Sequence, residues 1–166
     1  MTVDPWDFYQ QCEDALATRL RVLNPSFFKK DEQVSDDDSV LSDGADYWVI
    51  YRPGAFPIDD SLLSQKIMNV NWNVTVDLYV RYKTYKESWG KFRKFRAAIF
   101  FLLHSDQHLG GAFNISRVTL SSNEAAQYFR FSNTPQEAKP NFLIQTCNVV
   151  INQRVRFDKT VFNPSP

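Results

Sequence analysis

The chain reads as a single α+β domain, a mixed or antiparallel β-sheet packed by two main amphipathic helices. Three observations predict it. From Trp72 to Tyr82 the residues alternate strictly, with Trp72, Val74, Val76, Leu78, Val80 and Tyr82 on one side. Asn71, Asn73, Thr75, Asp77, Tyr79 and Arg81 fall on the other; a period of two over this length is a strand with one buried face. Two other stretches repeat apolar residues every three or four positions, the spacing of a helix stripe. Finally, 166 residues with 43% hydrophobic content suit one domain with a real core.

The first helix starts at Asp4-Pro5. Asp4 can cap, and Pro5 suits a first helical position because its missing N–H would be unpaired there anyway. Asp7 adds negative charge near the positive end of the helix. Tyr9, Cys12, Leu16, Leu20 and Leu23 form the stripe, and Pro25 stops it. From Asp31 to Asp46 the composition shifts: Asp31, Glu32, Asp36, Asp37, Asp38, Asp43 and Asp46 crowd together with no base among them. That pattern predicts a mobile, solvated surface loop spanning 31–46. Tyr47 to Tyr51 follows as a strand, ended by Pro53-Gly54. Residues 57–67 read equally as a short helix or an irregular excursion.

After the alternating strand, which opens at Val70, Thr84 and Glu87 form a capping box for the second helix. Its stripe is Trp89, Phe92, Phe95 or Arg96, Ile99, and Leu102 or Leu103. About twenty residues at roughly 1.5 Å each reach about 30 Å, enough to cross a sheet. Trp89 is expected as a core anchor. Gly90 costs this helix roughly 1 kcal/mol against alanine, which suggests a close backbone approach there. Gly110-Gly111 breaks the chain. Two strands follow, near Phe113–Ser121 and Gln127–Phe131, joined as a hairpin by a turn at Ser122-Asn123. Residues 134–140 are a loop. Phe142–Phe157 is the longest strand candidate, with Leu143, Cys147, Val149, Ile151, Val155 and Phe157 on one side and Thr146, Asn148, Asn152, Arg154 and Arg156 largely on the other. Residues 158–166 form a loose tail. The single domain thus spans 1–166, and there is no internal repeat.

Basic and acidic residues balance at 19 each. That argues against a dedicated nucleic-acid binder, which carries a net basic footprint. The start of the chain lacks the basic residues and apolar run of a secretory signal. No apolar run reaches the roughly 20 residues of a membrane span. The expectation is a protein made and kept in a reducing cytoplasm, or assembled there into something larger. Cys12 and Cys147 are then buried free thiols rather than a disulfide or redox pair. In the same setting Asn73 and Asn114, which match the glycosylation pattern, are plain strand residues.

Chemistry-bearing motifs are scarce. His104 and His108 lie four apart where the second helix is ending, with Asp106 the local carboxylate and no third ligand obvious. No nucleophile motif and no phosphate-binding glycine loop is present. An EF-hand loop needs glycine at its sixth position and glutamate at its twelfth. Counting from Asp36 those positions hold Leu41 and Tyr47, and from Asp38 they hold Asp43 and Val49. No catalytic residue, metal or cofactor is therefore expected. The basic cluster Lys83, Lys86, Lys91, Arg93, Lys94 and Arg96, interleaved with aromatics, reads as the solvent face of an amphipathic helix. A base-stacking platform for nucleic acid is its rival. It can also pair with the acidic 31–46 segment of a neighbouring copy.

The phrase Trp72–Arg81 (WNVTVDLYVR) before Trp89–Arg96 (WGKFRKFR) resembles tail terminator proteins of long-tailed bacteriophages, as does the order of elements over residues 5–157. Phe142–Thr146 (FLIQT) leading to Val155–Phe157 (VRF) is similar to their closing strand. The resemblance implies the terminator fold and a structural, non-enzymatic virion protein. It would form a hexameric ring that caps the tail tube and joins it to the head-tail connector or neck protein. DNA would pass through the ring without specific binding. Asp36, Asp37, Asp38, Asp43, Lys91, Arg93, Lys94, Arg96, Arg154 and Arg156 are the expected interface or channel residues. The location implied is the virion tail, assembled in the host cytoplasm. The alternatives are another neck or tail-tube ring component and, from a different class, a small cytoplasmic metal-dependent enzyme using His104, His108 and Asp106.

Overall fold

The computed structural model describes residues 5–23, 26–38, 41, 45–54, 67–110, 113–120, 127–130 and 141–156. In chain order they form α1 (Pro5–Arg21), a 3-10 turn (Asp31–Gln33), β1 (Val34–Ser35), β2 (Tyr47–Pro53), β3 (Ile67–Tyr82), α2 (Tyr85–Ser105), β4 (His108–Gly110), β5 (Phe113–Leu120), β6 (Gln127–Arg130) and β7 (Asn141–Arg156). This is a single α+β domain built on one mixed sheet. The strand order is β1-β2-β3-β7-β5-β4, with β6 also on β7. Only β1 runs parallel to its neighbour; every other pairing is antiparallel.

The sheet is organised by β3 and β7, which pair along sixteen residues each. The alternation in β3 fixes their register, because a one-residue slip would turn every valine of β3 to the wrong face. In that register Trp72 sits opposite Ile151, Val74 opposite Val149, Val76 opposite Cys147 and Val80 opposite Leu143. Both helices cover this face. Tyr9, Cys12, Leu16, Ala17 and Leu20 of α1 join Phe92, Phe95, Ile99 and Leu103 of α2 in one buried cluster with the strand residues. Trp72 meets Tyr9 edge-on at 5.1 Å and donates its indole N–H to Gln153 Oε1 at 2.8 Å.

α1 ends at Arg21, before Pro25, and Leu23 packs half-buried beyond the helix proper. The cap at Asp4 and the tail at 158–166 lie outside the described residues. The N-terminal end of α1 is held at a tight corner. The Tyr9 hydroxyl donates to the Asn73 carbonyl and accepts from the Gly54 N–H at 3.0 Å. A Cβ on Gly54 would lie 2.8 Å from the Asn73 carbonyl oxygen, so only glycine allows this approach of β2 to β3.

α2 begins at Thr84, but not through the expected capping box. The Thr84 side chain makes no cap bond. Buried Ser88 does the work one turn in: its Oγ accepts the Lys83 N–H at 2.8 Å. The stripe resolves to Phe92, Phe95, Ile99, Leu102 and Leu103. Trp89 is a half-buried rim residue, edge-on to Phe92, and not the anchor the spacing predicts. That anchor is Phe95, ringed by Phe27, Phe28 and Tyr47 at 5.0–5.8 Å. Gly90 faces open space, with nothing within 4 Å of a Cβ built there, so no close backbone approach explains it.

The expected hairpin of β5 and β6 does not form. Both strands run antiparallel to β7 on the same edge, end to end, with Leu120 opposite Cys147 and Gln127 opposite Ile144. The turn placed at Ser122-Asn123 and the loop at 134–140 lie outside the described residues, as do 57–66. A turn-like run between two apolar runs reads as a reversal. Here a sixteen-residue partner strand is long enough to take both runs in succession on one edge.

The 31–46 segment is also more built than a solvated loop. Gln33 is buried, accepting the N–H groups of Lys29 and Lys30 at 2.6 and 3.0 Å and donating to the Tyr47 carbonyl at 2.7 Å. Val34, also buried, opens a two-residue strand, and its carbonyl accepts from the Arg21 guanidinium at 3.0 Å. Further along, Leu41 and Ala45 pack on the opposite face of the sheet against a second small core of Trp48, Ile50, Tyr79 and Phe142. Acidic composition hid these few apolar and amide anchors.

Candidate functional site

α2 divides the basic cluster into three kinds of residue. Lys91 is committed within the chain. Its ammonium lies 2.9 Å from Asp46 and 3.0 Å from Glu87, while Lys83 approaches Asp46 at 3.6 Å. The hydrogen bond from Lys91 holds the Asp46 carboxyl below the usual carboxylate range, and Asp46 in turn raises Lys91. Arg96 turns toward the sheet and donates to Gln145 Oε1 at 3.3 Å. Lys86, Arg93 and Lys94 are exposed, and no carboxylate among the described residues pairs with them. The proposed pairing of basic helix and acidic segment is thus partly satisfied inside one chain, through Asp46.

The acidic residues separate similarly. Asp38 pairs with Arg52 at 2.9 Å. Asp36 and Asp37 follow β1 on the surface, with the Asp37 N–H donated to Ser35 Oγ at 3.1 Å. Asp43 lies outside the described residues. Arg154 and Arg156 sit on β7 opposite Asn69 and Ile67, and their side chains are likewise outside the description.

Beside Asp36 the structure exposes a residue that the motif reading passed over. Glu13 of α1 is 7% exposed, and its Oε1 meets no partner among the described residues. Burial, then the negative charges of Asp36 and Asp14, push its carboxyl up to about 7. The signal was present, since residues 9, 12, 13, 16, 17 and 20 share one helical face and a glutamate in that set lies against the core.

The histidines do not converge. α2 ends at Ser105, and His108 belongs to β4. The His104 ring stacks on Phe100 and its Nδ1 lies 2.8 Å from the Phe100 carbonyl. His108 Nδ1 lies 3.0 Å from Asn114 Oδ1. Asp106 accepts the His108 N–H at 3.1 Å and faces Arg19 at 3.5 Å. Among the described residues no three His, Cys, Asp or Glu side chains gather as metal ligands. Cys12 and Cys147 are free and buried, and burial pushes both thiols up to about 12, which keeps them protonated and unreactive at neutral pH.

The outer face of the sheet, opposite the helices, bears a ladder of polar pairs. Asn152 donates to Asn71 at 3.0 Å, Thr75 lies 3.4 Å from Asn148, and Thr146 donates to Asp77. Asn71 and Asn148 are exposed. No helix among the described residues is long and apolar enough to cross a membrane. No protein-family model matches the sequence, and no curated protein is significantly similar to it.

Proposed function

We propose that this chain is a structural subunit of a bacteriophage virion, a tail terminator that forms a ring at the end of the tail tube. The ring would join the tube to the head-tail connector, and DNA would pass through it unbound. One observation carries the reading: the two phrases of the resemblance, Trp72–Arg81 and Trp89–Arg96, form one continuous strand–helix unit, β3 followed by α2. That unit puts a polar ladder on one side of the sheet and, on the outside of the helix, exposed cations that pair with no carboxylate among the described residues, two surfaces suited to packing against other chains. The hexameric copy number and the location in the virion tail come from the resemblance.

Light scattering over a concentration series, with negative-stain images, tests the proposal. Rings of about six copies, or binding of the free chain to purified tail tubes, support it. Assembly on a template makes a monomer at low concentration compatible with it. A strict monomer at high concentration that also fails to bind tail tubes overturns it.

A further inference from the structure

Glu13 lies at a seam that the loss of one proton can open. α1 packs against β1 and β2. Glu13 lies in that contact, buried and with its Oε1 unpartnered among the described residues. Asp36, just past β1, and Asp14, one position along α1, bring negative charge to it. Tyr51 of β2 and Tyr9 and Cys12 of α1 share its surroundings, and burial keeps all three neutral. Arg21, the cation near Tyr51, gives its guanidinium to the Val34 carbonyl at 3.0 Å. A glutamate so placed fits with its proton and is strained without it, because burial and both aspartates oppose the charge.

The two sides of the seam are not equally fixed. α1 is held by Tyr9, Cys12, Leu16, Ala17 and Leu20, all in the main core. On the other side, Gln33 and Val34 are buried, but the burial stops there. Ser35 is half-buried, and Asp36, Asp37 and Asp38 are exposed. The ion pair of Asp38 with Arg52 joins two side chains about half in water, where such pairs are weak. We infer that residues 35–38 form a strap hinged at Val34, seated against α1 and β2 while Glu13 holds its proton and lifted when Glu13 gives it up. Lifting carries Asp36 away and admits water to the carboxylate, which relieves both burial and repulsion. It also takes Ser35 from its pairing with Ile50 and leaves that stretch of β2 as a sheet edge open to another strand. The device belongs to the folded subunit alone and does not depend on the virion reading.

Amide hydrogen exchange read by mass spectrometry, with rates corrected for the direct effect of pH, tests the strap. Between about pH 6 and pH 8 the protection of residues 35–38 and of β2 around Ile50 should fall by about tenfold, while β3 and β7 keep theirs. Glu13→Gln cannot ionise and should keep the strap seated throughout. Asp36→Asn should show a smaller fall than the wild type, since one of the repelling charges is gone. It carries the test by itself if circular dichroism shows Glu13→Gln to be unfolded. Protection that does not change with pH overturns the inference, as does a fall of equal size in the wild type and in either folded variant. A fall shared by β3 and β7 also overturns it, because the proton would then act on the whole domain and not on a strap.

Discussion

Val76 and Asp77 are neighbours on β3, yet they meet opposite sides of the sheet. Val76 enters a continuous core roofed by both helices, whereas Asp77 enters a face whose apolar part is four buried residues, supplemented by Leu41, Ala45 and Ile144. The first face gathers large side chains from α1, α2 and most strands. The second holds Trp48, Ile50, Tyr79 and Phe142 at one end and a polar ladder beyond them. The difference separates two tasks. Hydrophobic burial on the helix side supplies the stability of the domain. The outer side adds the small core of Trp48, Ile50, Tyr79 and Phe142, and its polar ladder is the stretch where residues can be chosen for what they present.

If that division is right, substitutions should sort by face. The largest effect belongs to Phe95→Ala, which removes a ring 0% exposed and in contact with three other aromatics. It should cost about 3–5 kcal/mol in urea unfolding. Trp89→Ala, at the rim of the same face, should cost clearly less. Equal losses would mean that α2 is rolled relative to the sheet.

Next comes the edge of that core at Glu13. Its carboxyl is raised from an ordinary 4.5 to about 7, so between those values the folded chain holds a proton that the unfolded chain has lost. Stability should therefore fall as pH rises through this window and level off above it. Glu13→Gln should abolish the fall and stabilise the protein by roughly 2 kcal/mol at pH 8, with little change at pH 4. Parallel pH profiles for the two proteins would place Glu13 in water and the α1–β1 seam further apart.

Gly90→Ala, on the exposed side of α2, should raise the melting stability by about 1 kcal/mol, because the added methyl meets nothing. A loss would reveal a neighbour over Gly90 in the folded monomer. The smallest effect is expected on the outer ladder. Asn148→Ala removes an exposed partner of Thr75 and should change unfolding by no more than about 0.5 kcal/mol. A loss of several times that would show the polar ladder itself to carry stability.

The helix face was legible because burial there enforces periodicity. The alternation of β3 and the stripe of α2 from Phe92 to Leu103 follow from the spacing of apolar residues. Even Tyr79, alone among polar neighbours, marked the second core, of which it is a member. Legibility fails where a single polar residue decides local structure. Gln33 and Ser88 each satisfy backbone groups through one buried side chain, and nothing in composition distinguishes them from surface residues. It fails again for β5 and β6, where the choice between pairing with each other and adding in turn to β7 depends on a strand further along the chain. In the candidate surface, the basic cluster was visible as a set. The split among Lys91, Arg96 and the outward Lys86 and Lys94 required the positions of Asp46 and Gln145, which come from remote parts of the chain.

The pairing of β3 with β7 bears on how quickly this chain reaches its native state. The partners that lock it are remote in sequence: Asp77 and Thr146 stand 69 residues apart, Trp72 and Gln153 stand 81 apart. Contacts at such separations require a large loop to close before they repay its entropy, so chains dominated by them fold on the slow side, in milliseconds to seconds. Until β7 arrives, β3 offers a sixteen-residue edge with a valine-rich face to any other strand in the solution. Dilution and low temperature during refolding should therefore raise the yield of soluble protein, since misassembly needs a second molecule and closure of the sheet does not.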